Sequence, residues 1–446
     1  MKSLMKMIRQ FGDSAVTLVV NFILFLFKGV KFIVSSPARL FKYIREFFED
    51  TDSVLKESLI ALSICAVGDL CAGIILGNME FFLETYPGLM VIIPGAIGMR
   101  GNIFGSFGSR LSTHLHIGTI SPEFKRSDLL DENITASIIL TMVLSVLLGV
   151  IAKVICILFG FNSISIYDFV LISFIAGLIS TIVMLPITMF ISLKSFEGGW
   201  DPDNITTPFI AAIGDFFTLP AIILSVLIVN LIGLSFIVKM ALFAIVILIT
   251  FVALISGYKS DNEVRHIVRQ STPVLFFCSI LGTVAGGILN NSISTLLKNQ
   301  TLLTLVPLFS GESGGLVSIL GARLASGLHS GLIEPELRPE KHTLENFIAI
   351  ITLAIIMYPL IGFLAEFSTI AFSNIGVGVI ESIVISLTSG MILILIMLLV
   401  VFYISTISYR RGLDPDNIVI PLSTSLTDSI STLILIVVSL GFLSMI

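Results

Sequence analysis

The chain has 446 residues, of which 55% are hydrophobic and only 12% charged, with a mean hydropathy of +1.06. Globular domains carry about 25% charged residues, so a soluble fold is excluded and a polytopic membrane protein is the class that fits. With 25 basic against 30 acidic residues, a nucleic-acid partner is not expected.

In chain order, residues 1–55 form a basic N-terminal segment in which Lys28, Lys31, Arg39, Lys42 and Arg45 stand among aromatic and aliphatic residues. This pattern predicts a helix over 22–48 lying in the cytoplasmic interface, its cations at anionic headgroups. A further crossing at 15–34 is the alternative.

Eleven apolar runs then reach the roughly 20 residues needed to cross a bilayer. They are 58–76, 89–115, 134–159, 169–193, 205–229, 236–256, 273–289, 302–328, 344–372, 379–407 and 418–443. The four cysteines, Cys65, Cys71, Cys156 and Cys278, lie inside such runs without metal-ligand spacing and read as packing residues. Alternate loops collect the basic residues, among them Lys125, Arg126, Lys194, Lys259, Arg265, Arg338, Lys341, Arg410 and Arg411. The positive-inside rule then puts the N-terminus in the cytoplasm and the C-terminus outside.

The sequence repeats itself. GGWDPDNITTPFIAAIGDFFTLPA, from Gly198, returns as RGLDPDNIVIPLSTSLTDSIS, from Arg411, so that Asp201, Asp203, Asn204, Pro208 and Asp215 recur as Asp414, Asp416, Asn417, Pro421 and Asp428. PGAIGMRGNIFGSFGSRLSTHLHIGTISPE, from Pro94, aligns without gaps to PLFSGESGGLVSILGARLASGLHSGLIEPE, from Pro307, at the same displacement of 213. A constant register across separate motifs marks an internal duplication. Repeat 1 covers 56–232 and repeat 2 covers 263–446. Each has five spans, an odd number, so direct fusion would invert one half. The extra span within 233–262 restores a common orientation, giving an all-α polytopic membrane protein of two parallel five-helix repeats about an axis along the membrane normal.

Several residues in these motifs invite a chemical reading. A carboxylate at membrane depth costs about 2.5–3.5 kcal/mol on insertion scales, so Asp215 and Asp428 should face a cavity or a partner, whether an ion or a neighbouring helix. Asp215 follows Asp203 by twelve residues, about 18 Å of helix rise. Asp201, Asp203, Asn204, Asp414, Asp416 and Asn417 suit either helix caps or an ion's entrance. Pro208 and Pro421 are expected to leave a carbonyl free one turn back. The glycines at 98, 101, 105 and 108 fit close helix packing. Arg110 and Arg323 are expected to snorkel or cap carbonyls, with His116 and His329 in the loops beyond. Arg100 and Glu312 are expected to pair, since neither charge should be alone at that depth.

These paired motifs resemble the MgtE-type magnesium transporters, specifically the two-domain branch called solute carrier family 41. The resemblance runs from about residue 58 to the end of the chain. It implies two five-helix domains around a cation pore, with Asp215 and Asp428 facing the ion. Mg²⁺ as the transported species suits the residues: it takes hard oxygen ligands and keeps several waters, so one or two carboxylates hold it. A site for transition metals would more often bring His or Cys. The alternative is counter-ion-coupled transport of another divalent cation or a small solute. No hydrolase or metalloprotease signature supports an enzyme. The expected partners are Mg²⁺ and the lipid bilayer, and one chain supplies both halves, so a monomer suffices as a pseudo-dimer.

Overall fold

The computed structural model describes residues 58–120, 127–197, 202–231, 236–260, 263–372, 376–411 and 415–443. The helix expected at 22–48 lies outside the described residues. Eleven described helices are long and apolar enough to cross a bilayer. They are α1 (Ser58–Gly77), α2 (Leu89–Ile117), α3 (Asp128–Leu158), α4 (Ile166–Glu197), α5 (Pro202–Leu231), α6 (Phe236–Lys259), α7 (Glu263–Asn291), α8 (Gln300–His329), α9 (Lys341–Phe372), α10 (Val379–Arg410) and α11 (Pro415–Leu443). No strand occurs among the described residues, and the chain is an all-α polytopic membrane protein.

Most helices outrun their apolar runs because a helix satisfies its own backbone in water as well as in lipid. α7 starts ten residues before the apolar run at 273, and its first turns carry Arg265, His266 and Arg269. α3 starts where Ser127 caps it: the Ser127 hydroxyl accepts from the Leu130 amide at 3.2 Å, and Asp128 and Asp131 lie in the first turn. Such acids complement the positive end of the helix dipole.

The helix boundaries carry the displacement seen in the sequence. The short helices Glu80–Thr85 and Ile293–Lys298 correspond, as do α4 and α10 at both ends, and α3 and α9 at their first residues. Gly118 and Gly331 close α2 and α8 with φ of 77° and 71°. That left-handed backbone is open to glycine at little cost.

The packing adds what periodicity could not show. α1 lies against α8 of the other half, and α7, its counterpart, lies against α2 and α3. A Cβ at Gly73 would fall 2.3 Å from the Thr304 carbonyl oxygen, and one at Gly286 2.3 Å from that of Val91. Gly73 corresponds to Gly286 and Val91 to Thr304, so the two halves exchange their opening helices through the same contact. Backbones approach this closely only through small residues, which drive helix association where lipid is as apolar as the side chains.

α6 is peripheral. Its buried residues are Val246, Thr250 and Gly257, while Ile237, Leu248 and Phe251 stay exposed to lipid. It rests on α3 and α4, and Lys239 Nζ lies 2.6 Å from Asp168 Oδ1 of α4.

Candidate functional site

Four helices meet where the halves adjoin. α2 packs on α5 and α8 on α11, while α2 also touches α11 and α8 touches α5. Pro94 and Pro307 interrupt the hydrogen-bond ladders of α2 and α8 one turn before Gly98 and Gly311.

Asp428 is half-buried on α11 and accepts from the Ser310 hydroxyl of α8 at 2.7 Å. Gly98 makes room for it on α2, since a Cβ there would lie 3.2 Å from Asp428 Oδ2. One turn along α2, the Asn102 side-chain amide donates to Ser425 Oγ of α11 at 3.1 Å. Asp215, the repeat mate of Asp428, is 8% exposed on α5. Gly101 and Gly314, equivalent in the repeat, adjoin open space: beyond the local turn of their own helix, no atom of the described residues lies within 4 Å of where their Cβ would stand.

A third acid belongs to this group. Asp69 of α1 is 2% exposed, and Gly68 beside it packs on α5, where a Cβ would lie 3.0 Å from that of Ala212, one turn from Asp215. Sequence reasoning passed over it because it falls outside both repeated motifs, and its counterpart at 282 is glycine. The available signal was a single acid in an apolar span. Among the described residues no Lys, Arg or His pairs with Asp69, Asp215 or Asp428. Nor do three His, Cys, Asp or Glu side chains converge there into a ready-made metal cage.

Two expectations change. Arg100 and Glu312 do not pair: both are 0% exposed, Arg100 Nε and Nη2 and both Glu312 oxygens lack hydrogen-bond partners, and Arg100 Nη1 donates to the Ala96 carbonyl at 2.8 Å. The two positions are one residue out of register in the repeat, so they address different neighbours. Arg110 and Arg323 also make a bond that the sequence did not suggest. Their Nε atoms donate to Asn133 Oδ1 and Asn346 Oδ1 of the following helix, at 2.8 and 2.5 Å. His116 and His329 stand in the last turns of α2 and α8, not in loops, and the His329 ring meets Tyr409 edge to face.

The remaining motif residues flank the acids. Asp203, Asn204, Asp416 and Asn417 lie in the first turns of α5 and α11, which begin at Pro202 and Pro415. Asp201 and Asp414 lie outside the described residues. Both helices continue through Pro208 and Pro421. Cys278 Sγ of α7 lies 3.6 Å from the Pro421 carbonyl oxygen.

Comparison with known proteins sets this arrangement in context. The family model MgtE, described as "Divalent cation transporter", matches residues 93–225 and 306–438, two segments with the same displacement. Solute carrier family 41 member 3 of Rattus norvegicus is 25% identical over 406 residues, 84% of this chain and 84% of its own. Solute carrier family 41 member 2 of Gallus gallus is 23% identical over 424 residues, 88% of this chain and 71% of its own. The Homo sapiens member 2 is 22% identical over 415 residues, 87% and 70%. No solved structure matches the chain. With eleven apolar helices and a double match covering more than half of its length, the chain belongs to the MgtE family of divalent cation transporters.

Proposed function

We propose that this protein moves Mg²⁺ through a pathway between its two halves, with Asp215 and Asp428 as the carboxylates that hold the ion. The observation that carries this reading is their placement. They are repeat mates on α5 and α11, both helices contact α2 where the halves adjoin, and no cationic side chain neutralises them among the described residues. Open space at Gly101 and Gly314 supports a lumen beside them. The absence of a tight cage among the described residues suits an ion that retains its water, since stripping Mg²⁺ is slow and costly.

In this reading, residues 56–232 and 263–446 are two parallel repeats about an axis along the membrane normal, and 233–262 carries the helix that restores orientation. Asp201, Asp203 and Asn204, with Asp414, Asp416 and Asn417, stand at the cytoplasmic mouth, where they cap the helices and draw in cations. The N-terminus is cytoplasmic and the C-terminus outside. One chain forms the whole pathway.

The test is Mg²⁺ uptake into proteoliposomes carrying a trapped indicator. Asp215→Asn and Asp428→Asn keep size and most hydrogen bonding while each removes one charge. Each is expected to lower uptake about tenfold or more, with the melting profile retained. Acids that share one ion are coupled, so the double variant should lose less than the sum of the single losses. Uptake near the wild-type level in both single variants overturns the assignment.

A further inference from the structure

The two exchanged helix contacts match in position and differ in chemistry. Where α7 meets α2, Gly282 lies against the backbone of Gly95, and the residue after Gly98 is Met99. Where α1 meets α8, Asp69 takes the place of Gly282 and Glu312 the place of Met99. Asp69 sits so close to α8 that a Cβ at Gly311 would fall 2.2 Å from its Oδ2. Glu312, the next residue, is 0% exposed and neither carboxylate oxygen has a partner.

Glu312 belongs to the stretch of α8 that meets α1: it follows Gly311, which lies against Asp69, and precedes by three residues Gly315, where a Cβ would fall 2.7 Å from Leu62 of α1. Arg100, the buried cation on α2, makes no ion pair among the described residues. Two carboxyls brought together away from water need their charge offset by a proton or by a bound positive ion, and among the described residues no cationic side chain pairs with either. Two carboxylates are what a partly hydrated divalent cation takes from a protein.

We infer that Asp69 and Glu312 form a second divalent-cation position, off the axis between α1 and α8 and adjoining Asp215. It rests on the axial reading of Asp215 and Asp428, and it makes the two halves unequal: one exchanged contact holds an ion, and the other has Gly282 and Met99 in place of the two acids. Asp69 lies outside both segments that match the family model, and Glu312 lies inside the second.

The experiment counts Mn²⁺ on the purified full chain by equilibrium dialysis, alongside Mg²⁺ uptake. Wild type should bind two ions. Glu312→Met, which installs the residue of the other contact, should bind one and melt at or above the wild-type temperature without ions, because an unpaired buried acid is gone. Asp428→Asn should keep the off-axis ion and lose most uptake. If Glu312→Met fails to fold, Glu312→Gln decides in the same assay. A full complement of Mn²⁺ at unchanged affinity in the Glu312 variant overturns the proposal. So does a wild-type chain that binds no Mn²⁺, or a single ion that Asp428→Asn removes and Glu312→Met keeps; in that last case the axial reading stands. The axial reading fails separately if Asp428→Asn leaves uptake unchanged.

Discussion

Lys153 and Glu366 occupy the same position in the two halves, carry opposite charges, and fasten the same turn. Lys153 Nζ donates to Ser163 Oγ at 2.8 Å and to the Ile164 carbonyl at 3.0 Å. Glu366 accepts from the amides of Val377 and Gly378 at 3.2 and 3.0 Å, and from the Thr301 hydroxyl at 2.7 Å. Where one loop presents acceptors the other presents donors, and the side chain has changed sign to suit. Hydrogen bonds to a charged group contribute about 1.5–3 kcal/mol, and Glu366 is 2% exposed. Glu366→Gln should therefore destabilise the chain by an amount of that order and speed hydrogen exchange at Val377 and Gly378. Lys153→Met, at a half-buried site, should cost less. Exchange mass spectrometry and thermal melts check both.

The exchanged contacts give a paired prediction. Gly73→Ala and Gly286→Ala each drive a methyl into a backbone carbonyl that cannot rotate away. Overpacking of this kind costs about 1–3 kcal/mol, and the two losses should be similar because the geometry is the same. A melt in which one variant is neutral would show that the contacts are not equivalent.

Gly101 and Gly314 predict the opposite behaviour. Space is open around both, so Gly101→Leu and Gly314→Leu should leave thermal stability within about 0.5 kcal/mol of wild type while sharply reducing Mg²⁺ flux. Normal flux in both folded variants would move the pathway elsewhere.

The Arg110–Asn133 and Arg323–Asn346 bonds each tie a motif helix to its successor. Asn133→Ala strands a guanidinium whose Nη2 is already buried without a partner. A loss of about 1–3 kcal/mol is expected there. Asn133→Asp, which restores an acceptor, should recover stability in the same chemical-denaturation series.

Orientation is checked by labelling. A cysteine at Ser260 should react from the cytoplasmic face, and one at Phe161, between α3 and α4, only from outside. Reaction of both from one face would overturn the proposed parallel arrangement of the repeats.

The eleven crossings were legible because apolar length is a one-dimensional property, and the 213-residue register because duplication leaves a constant offset. Partner choice was not. Nothing in α1 alone says that Gly73 closes on Thr304 of the other half, since small residues mark a close approach without naming the helix that approaches. The same limit explains Arg100 and Glu312: opposite charges near the same depth suggest a pair, yet they are one residue out of register in the repeat, about 100° of helix rotation. Asp69 carries no repeat signal, since its counterpart is Gly282.

The exchange of α1 and α7 also fixes an order of assembly. During synthesis α1 enters the bilayer long before α8 exists, so its Gly73 face and the Asp69 carboxylate wait without their final neighbours. A lone membrane acid costs about 2.5–3.5 kcal/mol on insertion scales, a load that the apolar remainder of α1 must carry until the second half arrives. α2 waits likewise for α7. Neither half can close on itself, and a half expressed alone should find its missing helix on a second copy, the two associating by the same exchange that the full chain performs within itself.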